Sequence, residues 1–232
     1  MLNSTVATLH NNSAHGEDSY LVRALGDHAA LDAVMDGVTR RGGGQASRRL
    51  ADGLAAASLT SPDDVVTVLE EVNRQLYQIG GGQFLLTTVA AALYMYGKLS
   101  VVSAGDSSIL LIRSDSLQQL YRGMRGGFIG ARKHLVDLYR AEVTVEPGDR
   151  VILATDGVTD NVTTRELVEV VRRAVSPDEA VGQLHGVLTT RRAEGRLPAP
   201  LGGGFRDDDW TAVIRFFGAT GARAGTFDLP RP

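Results

Sequence analysis

The chain has 232 residues, of which 43% are hydrophobic and 22% are charged, a composition typical of one globular domain. Its formal charge of −3 leaves no basic excess for a phosphate backbone or an anionic bilayer, so we expect neither nucleic acid nor a membrane as a partner. The absence of cysteine excludes disulfides, thiolate metal sites and thiol nucleophiles. Residues 1–12 lack the basic and apolar regions of a signal peptide, and we expect a cytoplasmic protein.

The first third of the chain predicts a hairpin followed by two helices. Two aliphatic runs within residues 18–36 flank Gly26-Asp27-His28, which has the composition of a turn. Residues 45–57 are rich in Ala, Leu and Arg and favour a helix. The segment 61–64, Ser-Pro-Asp-Asp, offers an N-cap, a proline at the first helical position and a capping acid, and the glycines at 80–82 end the helix that it predicts.

The rest of the chain alternates between blocks of strands and blocks of helices. The β-rich runs predict strands at residues 85–96, 99–104, 108–113, 117–121, 136–145, 151–155 and 210–217. The first four of these strands are joined by short turns and predict one antiparallel meander, and the glycine-rich segment 122–132 predicts a mobile loop. Capping-box sequences at Thr163 and Ser176 predict two consecutive helices.

This block order predicts an α+β fold with antiparallel sheets and a helix pair covering each of two sheets. No shift in composition divides the chain. We therefore predict a single domain over residues 1–217 and a flexible C-terminal tail over residues 218–232.

Acidic residues occur where five predicted strands begin or end. They are Glu17-Asp18, Asp36-Gly37, Asp106, Asp156-Gly157 with Asp160, and Asp207-Asp208-Asp209. Each Asp-Gly alone is typical of a turn. If the strand ends meet at one edge of the sheets, however, carboxylates about 4 Å apart repel by about 1 kcal/mol in water and by more at lower dielectric, so the cluster needs a cation. Oxygen ligands without cysteine favour Mg²⁺ or Mn²⁺, and a pair of such ions is suited to displacement at phosphorus.

The order of these motifs from Glu17 to Phe217 resembles the metal-dependent protein phosphatases (PPM, type 2C), and in particular the bacterial branch related to sporulation and stress-response serine phosphatases. The shared motifs also include Thr87-Thr88, Gly105-Asp106-Ser107 and the Asp pair before Thr211. The resemblance implies an antiparallel β-sandwich flanked on both sides by helix pairs, in four α-β-β-α layers. It also implies a signalling hydrolase that removes phosphate from phosphoserine or phosphothreonine of a protein substrate, by attack of a hydroxide that bridges two divalent ions.

The same resemblance implies individual roles at the metal site. Asp36 would bridge two ions, Mn²⁺ or Mg²⁺, and would form the catalytic centre with Asp156 and Asp208. The carbonyl of Gly37 and, through water, Glu17 would serve one ion, and Asp156 and Asp208 the other. We choose Asp208 from the three aspartates by its register with the strand that follows, because successive strand side chains face opposite ways. A weaker third ion would use Asp106 and Asp160, and the whole predicted set is Glu17, Asp18, Asp36, Gly37, Asp106, Asp156, Asp160 and Asp208.

Two positions depart from the family pattern. Ser13 stands where many members have an arginine that binds the substrate phosphate, and Val38 stands where many have a histidine thought to protonate the leaving oxygen. The nearest basic residues, His15, Arg40 and Arg41, are candidates for substrate binding, although a solvated arginine-rich helix start is the commoner explanation. These departures leave two alternatives open: a regulatory pseudophosphatase that binds a partner without turnover, and a phosphatase of small phosphate esters.

Overall fold

The computed structural model describes residues 2–114, 116–121, 127–136 and 138–219. Among them the strands are β1 (Leu2–Asn11), β2 (Ser19–Gly26), β3 (Ala29–Met35), β4 (Val89–Met95), β5 (Lys98–Ala104), β6 (Ser108–Arg113), β7 (Ser116–Tyr121), β8 (Tyr139–Thr144), β9 (Arg150–Ala154) and β10 (Trp210–Ala219). The helices in the same residues are α1 (Gly43–Ala56), α2 (Pro62–Gly80), α3 (Asp156–Thr159), α4 (Thr164–Arg173) and α5 (Pro177–Glu194).

The strands form two antiparallel sheets that pack against each other. One sheet has the order β1-β10-β9-β6-β7 and the other the order β2-β3-β4-β5-β8. Buried side chains from both sheets, such as Val34, Ala90, Leu153 and Val213, form the core between them. Helices α1 and α2 cover the second sheet and α4 and α5 cover the first. The predicted α+β fold, a β-sandwich between two helix pairs, is therefore confirmed.

Helix starts follow the capping chemistry that the sequence predicts. Before α2, Ser61 Oγ accepts the backbone N–H of Asp64, and the Asp64 carboxylate accepts the N–H of Ser61. Thr163 and Glu166 form the same reciprocal pair before α4. In the part of the chain that the structure describes, no helix combines the length and the apolar character needed to cross a membrane. The cytoplasmic location stays a prediction.

The predicted single meander is wrong, because its four strands form two hairpins on different sheets. β4 pairs with β5, and β6 pairs with β7, but β6 has β9 as its other neighbour. The chain crosses from one sheet to the other at Gly105-Asp106-Ser107. Gly105 has φ +97°, and a Cβ there would lie 2.6 Å from Cγ2 of Thr88. A crossover of three residues has the same sequence composition as a hairpin turn, so strand spacing could not separate them.

The N-terminal segment also differs from the sequence prediction. Residues 2–11 form β1, which was not predicted and which pairs with β10 along its whole length. Of the predicted mobile loop, residues 122–126 lie outside the described residues, and so do residues 220–232 of the predicted tail. The assignment of a single domain over residues 1–217 stays a prediction.

A buried ion pair joins the two sheets. Arg215 on β10 donates from Nε to Asp32 Oδ2 at 2.5 Å and from Nη2 to Oδ1 at 2.7 Å, and Asp32 lies on β3 of the opposite sheet. Nη1 of Arg215 donates to Ser4 Oγ on β1 at 2.7 Å. Burial raises the pKa of Asp32, and the hydrogen bonds and charge of Arg215 oppose that shift. The pair therefore links β3 and β10, which lie in different sheets.

Arg215→Met tests the energetic role of this pair. The variant leaves the Asp32 carboxylate buried without a cation, and we expect the free energy of unfolding to fall by about 3 to 5 kcal/mol. Urea denaturation measures the change. The double variant Asp32→Leu with Arg215→Met should recover most of the loss, and Lys98→Met, which removes an exposed pair with Glu142, should leave the midpoint almost unchanged. Equal midpoints for Arg215→Met and Lys98→Met would contradict the role.

Candidate metal centre

Three of the predicted ligands meet at one end of the sandwich. Asp36 follows β3, Asp106 follows β5 and Asp156 follows β9, so both sheets contribute. One carboxylate oxygen from each residue lies within 4.8 Å of the others, and all three side chains are half-buried. Carboxylates at this separation repel one another, and the repulsion grows as water is excluded. Three converging oxygen donors of this kind fit a hard divalent cation.

The carboxylates around this group are close enough to change its protonation. Burial raises the pKa of Asp36 well above its ordinary value, and the charges of Asp156, Asp18 and Asp208 raise it further. Burial also raises the pKa of Asp156 to about 6, and the charges of Asp106, Asp208 and Asp160 act in the same direction. The predicted ligands Asp18, Asp160 and Asp208 thus lie around the central three.

Asp18 is a buried carboxylate of the predicted set, with 4% of its surface exposed. Burial raises its pKa to about 7, hydrogen bonds from the Thr211 and Thr155 hydroxyls oppose the shift, and the charges of Asp209 and Asp156 add to it. The hydroxyl of Thr155 donates to Asp18 Oδ2 at 3.0 Å. Asp18 Oδ2 thus has a hydroxyl donor in the folded chain, and the role of Asp18 as a metal ligand stays a prediction.

Glu17 provides an oxygen that lacks a partner. Its Oε2 is buried and has no hydrogen-bond donor among the described residues. The main chain at Glu17 is held firmly, since its carbonyl accepts from Ser47 Oγ at 2.6 Å and its N–H donates to Asp209 Oδ2 at 2.8 Å. Its charge also acts on Asp208, whose pKa is raised first by burial. A fixed carboxylate with an unsatisfied buried oxygen fits a cation, bound directly or through water.

The glycines that follow Asp36 and Asp156 are needed for close packing. A Cβ at Gly37 would lie 2.2 Å from the carbonyl carbon of Gly43, the first residue of α1. A Cβ at Gly157 would lie 2.0 Å from the carbonyl oxygen of Asp209. Neither glycine has a positive φ. The Asp-Gly pairs are therefore points where one strand end packs directly on another segment of the site, and the ordinary turn explanation is wrong for both.

Two threonines fix the main chain of Asp36. Thr88 Oγ1 accepts the Asp36 N–H at 2.9 Å, and Thr87 Oγ1 donates to the Asp36 carbonyl at 2.9 Å. Thr88 Oγ1 also shares a hydrogen bond of 2.9 Å with Ser107 Oγ, beside Asp106. The Thr-Thr motif thereby couples the strand end that carries Asp36 to the turn that carries Asp106.

Asp209 has a role that the sequence did not reveal. Its carboxylate is buried and accepts three backbone N–H groups of the segment before β2, from Ala14 and His15 at 3.0 Å and from Glu17 at 2.8 Å. Both oxygens are thus used by the main chain, which leaves Asp208 as the neighbour that faces the carboxylate cluster. Its donors are backbone groups, so no residue type in the sequence could have indicated this contact.

The three basic residues predicted to bind substrate are exposed. The charge of His15 is felt at Asp208, where it opposes the rise in pKa caused by burial. Arg41 donates from Nη1 to the Gln83 carbonyl at 3.0 Å, at the loop after α2. Arg40 is also exposed and has a positive φ of 62°. Substrate binding by these residues stays a prediction.

Comparisons with known proteins show the family to which the chain belongs. The family described as Stage II sporulation protein E (SpoIIE) matches residues 44–215. The chain belongs to this family, which places it among the metal-dependent protein phosphatases of type 2C, in the branch that includes sporulation-related members.

Curated relatives also match much of this chain in sequence. A probable protein phosphatase 2C from Oryza sativa subsp. japonica, BIPP2C1, is 26% identical and covers 77% of this chain. The chain spans about a third of the length of the curated relatives it matches, 32% for this one.

Two solved structures also resemble this chain. The structure of PppA, a key regulatory component of T6SS in Pseudomonas aeruginosa, has a TM-score of 0.76 at 22% identity, over 92% of this chain and 97% of that one. The catalytic domain of the phosphatase PstP, in complex with two manganese ions, has a TM-score of 0.73 at 22% identity, over 94% and 100%. At these identities the likeness shows the fold.

The raised carboxyl pKa values predict that the metal-free protein loses stability as pH rises. Asp18 titrates near pH 7 in the folded chain and near its ordinary value of 3.8 when unfolded, so between these values only the folded state holds the proton. Stability gained from that proton is lost progressively as pH rises from about 4 to about 7. In the presence of chelator, we expect the melting temperature to fall by several degrees between about pH 5 and about pH 7.5. Asp36→Asn should melt higher and depend less on pH, and a flat or rising wild-type curve would contradict the prediction.

The anchoring role of Asp209 predicts a loss on its conservative substitution. In Asp209→Asn the amide nitrogen cannot accept a backbone N–H, so one buried donor loses its partner at a cost of about 1 to 3 kcal/mol. Urea denaturation of the metal-free protein measures it. Asp207→Asn, at the exposed neighbouring position, is the matched control and should cost much less. The role is excluded if the two variants unfold at the same urea concentration.

Proposed function

We propose that this protein is a metal-dependent phosphatase that hydrolyses phosphoserine and phosphothreonine in a protein substrate. The observation that carries the proposal is the convergence of Asp36, Asp106 and Asp156, with carboxylate oxygens within 4.8 Å, in a chain of the phosphatase 2C type. The bound ions named for two structural neighbours, manganese for PstP and magnesium for RsbX, support Mn²⁺ or Mg²⁺ as the cofactor.

The proposed ligands would divide between two ions. Asp36 would hold both, the Gly37 carbonyl and Glu17 would hold one ion, and Asp156 and Asp208 would hold the other. When bound, the two ions supply a water of lowered pKa for attack on phosphorus and neutralise the charge of the phosphoryl oxygens. Thr87 and Thr88 hold the main chain of Asp36, and Asp209 holds the segment of Glu17, so the ligands are positioned before metal and substrate arrive.

The substrate phosphate would be bound by residues outside the family positions. Val38 is aliphatic and has no proton to give to the leaving oxygen. His15 is exposed, and its charge acts on Asp208, so we propose it as the side chain that contacts the phosphoryl group or its leaving oxygen. Arg40 and Arg41 are exposed on the segment that follows Asp36, where a phosphorylated peptide would pass, and we propose them as contacts to the peptide.

Asp36→Asn tests the proposed reaction. We expect the wild type to hydrolyse a chromogenic aryl phosphate and a phosphothreonine peptide with Mn²⁺ or Mg²⁺ and to be inactive with chelator. The variant loses the carboxylate charge that would hold both ions, and we expect kcat to fall at least about 100-fold, a typical effect for removal of a transition-state contact. Asp52→Asn, an exposed aspartate of α1, is the matched control and should keep full activity.

The two alternatives give different results in the same assay. A regulatory protein without turnover would bind Mn²⁺, as measured by isothermal titration calorimetry, and would leave both substrates intact. A phosphatase of small esters would hydrolyse the aryl phosphate and leave the peptide intact. Activity that persists in chelator or in Asp36→Asn would overturn the proposal.

A further inference from the structure

The guanidinium of Arg206 contacts Asp160, one of the acidic residues beside the candidate metal centre. Asp160 directly follows α3, and its N–H donates to the Asp156 carbonyl at 2.7 Å, so the two residues are one helical turn apart. Both carboxylates line a cavity of about 280 Å³, together with Asp106, Ser108, Gln119 and Thr164. The Nη1 group of Arg206 forms an ion pair with Oδ2 of Asp160, one of the residues that line this cavity.

The main chain of Arg206 is fixed beside Asp160. The side chain of Asn161 is fully buried, and its Nδ2 donates to the Arg206 carbonyl at 2.8 Å while its Oδ1 accepts the Arg206 N–H at 2.9 Å. The same Nδ2 donates to the Gly157 carbonyl at 2.8 Å. One amide thus ties the segment before β10 to the turn that carries Asp156 and Asp160. The guanidinium can leave Asp160 by rotation of its own side chain, but its backbone stays in place.

The position of this guanidinium has an electrostatic consequence. An arginine is charged at every accessible pH, and it satisfies a carboxylate with directed N–H donors. A divalent ion that uses Asp160 needs the same carboxylate oxygens and is repelled by the neighbouring positive charge. The Asp160 charge is also felt at Asp156, so whichever cation occupies Asp160 changes the field at the proposed core ions.

We infer that Arg206 is a built-in cation that competes with a third divalent ion for Asp160 and so sets the metal concentration at which that ion binds. The inference rests on the proposed function, since it concerns an ion beyond the two core ions. With Arg206 on Asp160, the site holds two ions at low metal concentration. The third ion binds only when the metal concentration is high enough to displace the guanidinium. Arg206 is a positioning residue in this account, because it acts through Asp160.

Arg206→Gln tests this competition by direct metal binding. The substitution removes the charge and keeps the backbone groups that bind Asn161. Mn²⁺ titration followed by electron paramagnetic resonance of the free ion gives the stoichiometry and each dissociation constant without substrate. We expect the dissociation constant of the third Mn²⁺ to fall about fivefold, the effect of removing one half-exposed charge, and the two tighter constants to stay unchanged.

Matched variants separate competition from a general effect of charge. Arg192→Gln removes another arginine, paired with Asp207 next to Arg206, and should leave the third constant as in the wild type. In the Asp160→Asn background, Arg206→Gln should have no further effect. An unchanged third constant in Arg206→Gln, or an equal shift in Arg192→Gln, would overturn the inference. If neither the wild type nor any variant binds Mn²⁺, the proposed function fails, and this inference fails with it. If the two tighter Mn²⁺ ions bind but the third constant does not respond to Arg206→Gln, only this inference fails.

Discussion

Mutual repulsion of carboxylates at one end of the sandwich is the constraint on which the rest of the site depends. Asp36, Asp106 and Asp156 bring oxygens within 4.8 Å of one another, and burial with the neighbouring charges raises the pKa of Asp36 and Asp156. This arrangement does not stabilise the metal-free protein, because its carboxylates must either bind protons or repel one another. A bound divalent cation would remove both costs, because its charge balances the carboxylates that converge at these strand ends.

The segment Arg206–Asp209 shows how that geometry is kept. Its four residues contact four different parts of the molecule: Arg206 pairs with Asp160, Asp207 with Arg192 on α5, Asp208 faces the carboxylate cluster, and Asp209 binds the N–H groups of the segment before β2. In extended chain, alternate side chains point to opposite sides, so one short segment can connect several elements. The Gly157 contact makes this possible, because a side chain there would meet the Asp209 carbonyl.

Much of the fold and of the acidic site could be predicted from the sequence, and the exceptions share a physical cause. Local signals predicted the caps at Ser61 and Thr163, and the acidic motifs at strand ends predicted the convergence. Three features depend instead on partners distant in sequence: the crossover at Gly105, the pairing of β1 with β10, and the backbone contacts of Asp209. A crossover between sheets has the same residue composition as a hairpin turn, so the sequence does not distinguish them. Every residue other than proline has a backbone N–H, so the sequence does not indicate which of these groups Asp209 binds.

Contacts between distant segments also bear on Ser13, one of the two positions that depart from the family pattern. Ser13 replaces an arginine of the pattern, but positive charge returns to this place from another part of the chain: Arg192 on α5 donates from Nη1 to Ser13 Oγ at 2.9 Å, and its guanidinium lies 5.6 Å from the centre of the Trp210 ring. Arg206 similarly supplies a cation at Asp160. Arginines from α5 and from the segment before β10 thus reach Ser13 and Asp160 from positions that no local motif relates to them. A motif arginine that is missing from the sequence therefore does not establish that positive charge is missing from its position in the fold.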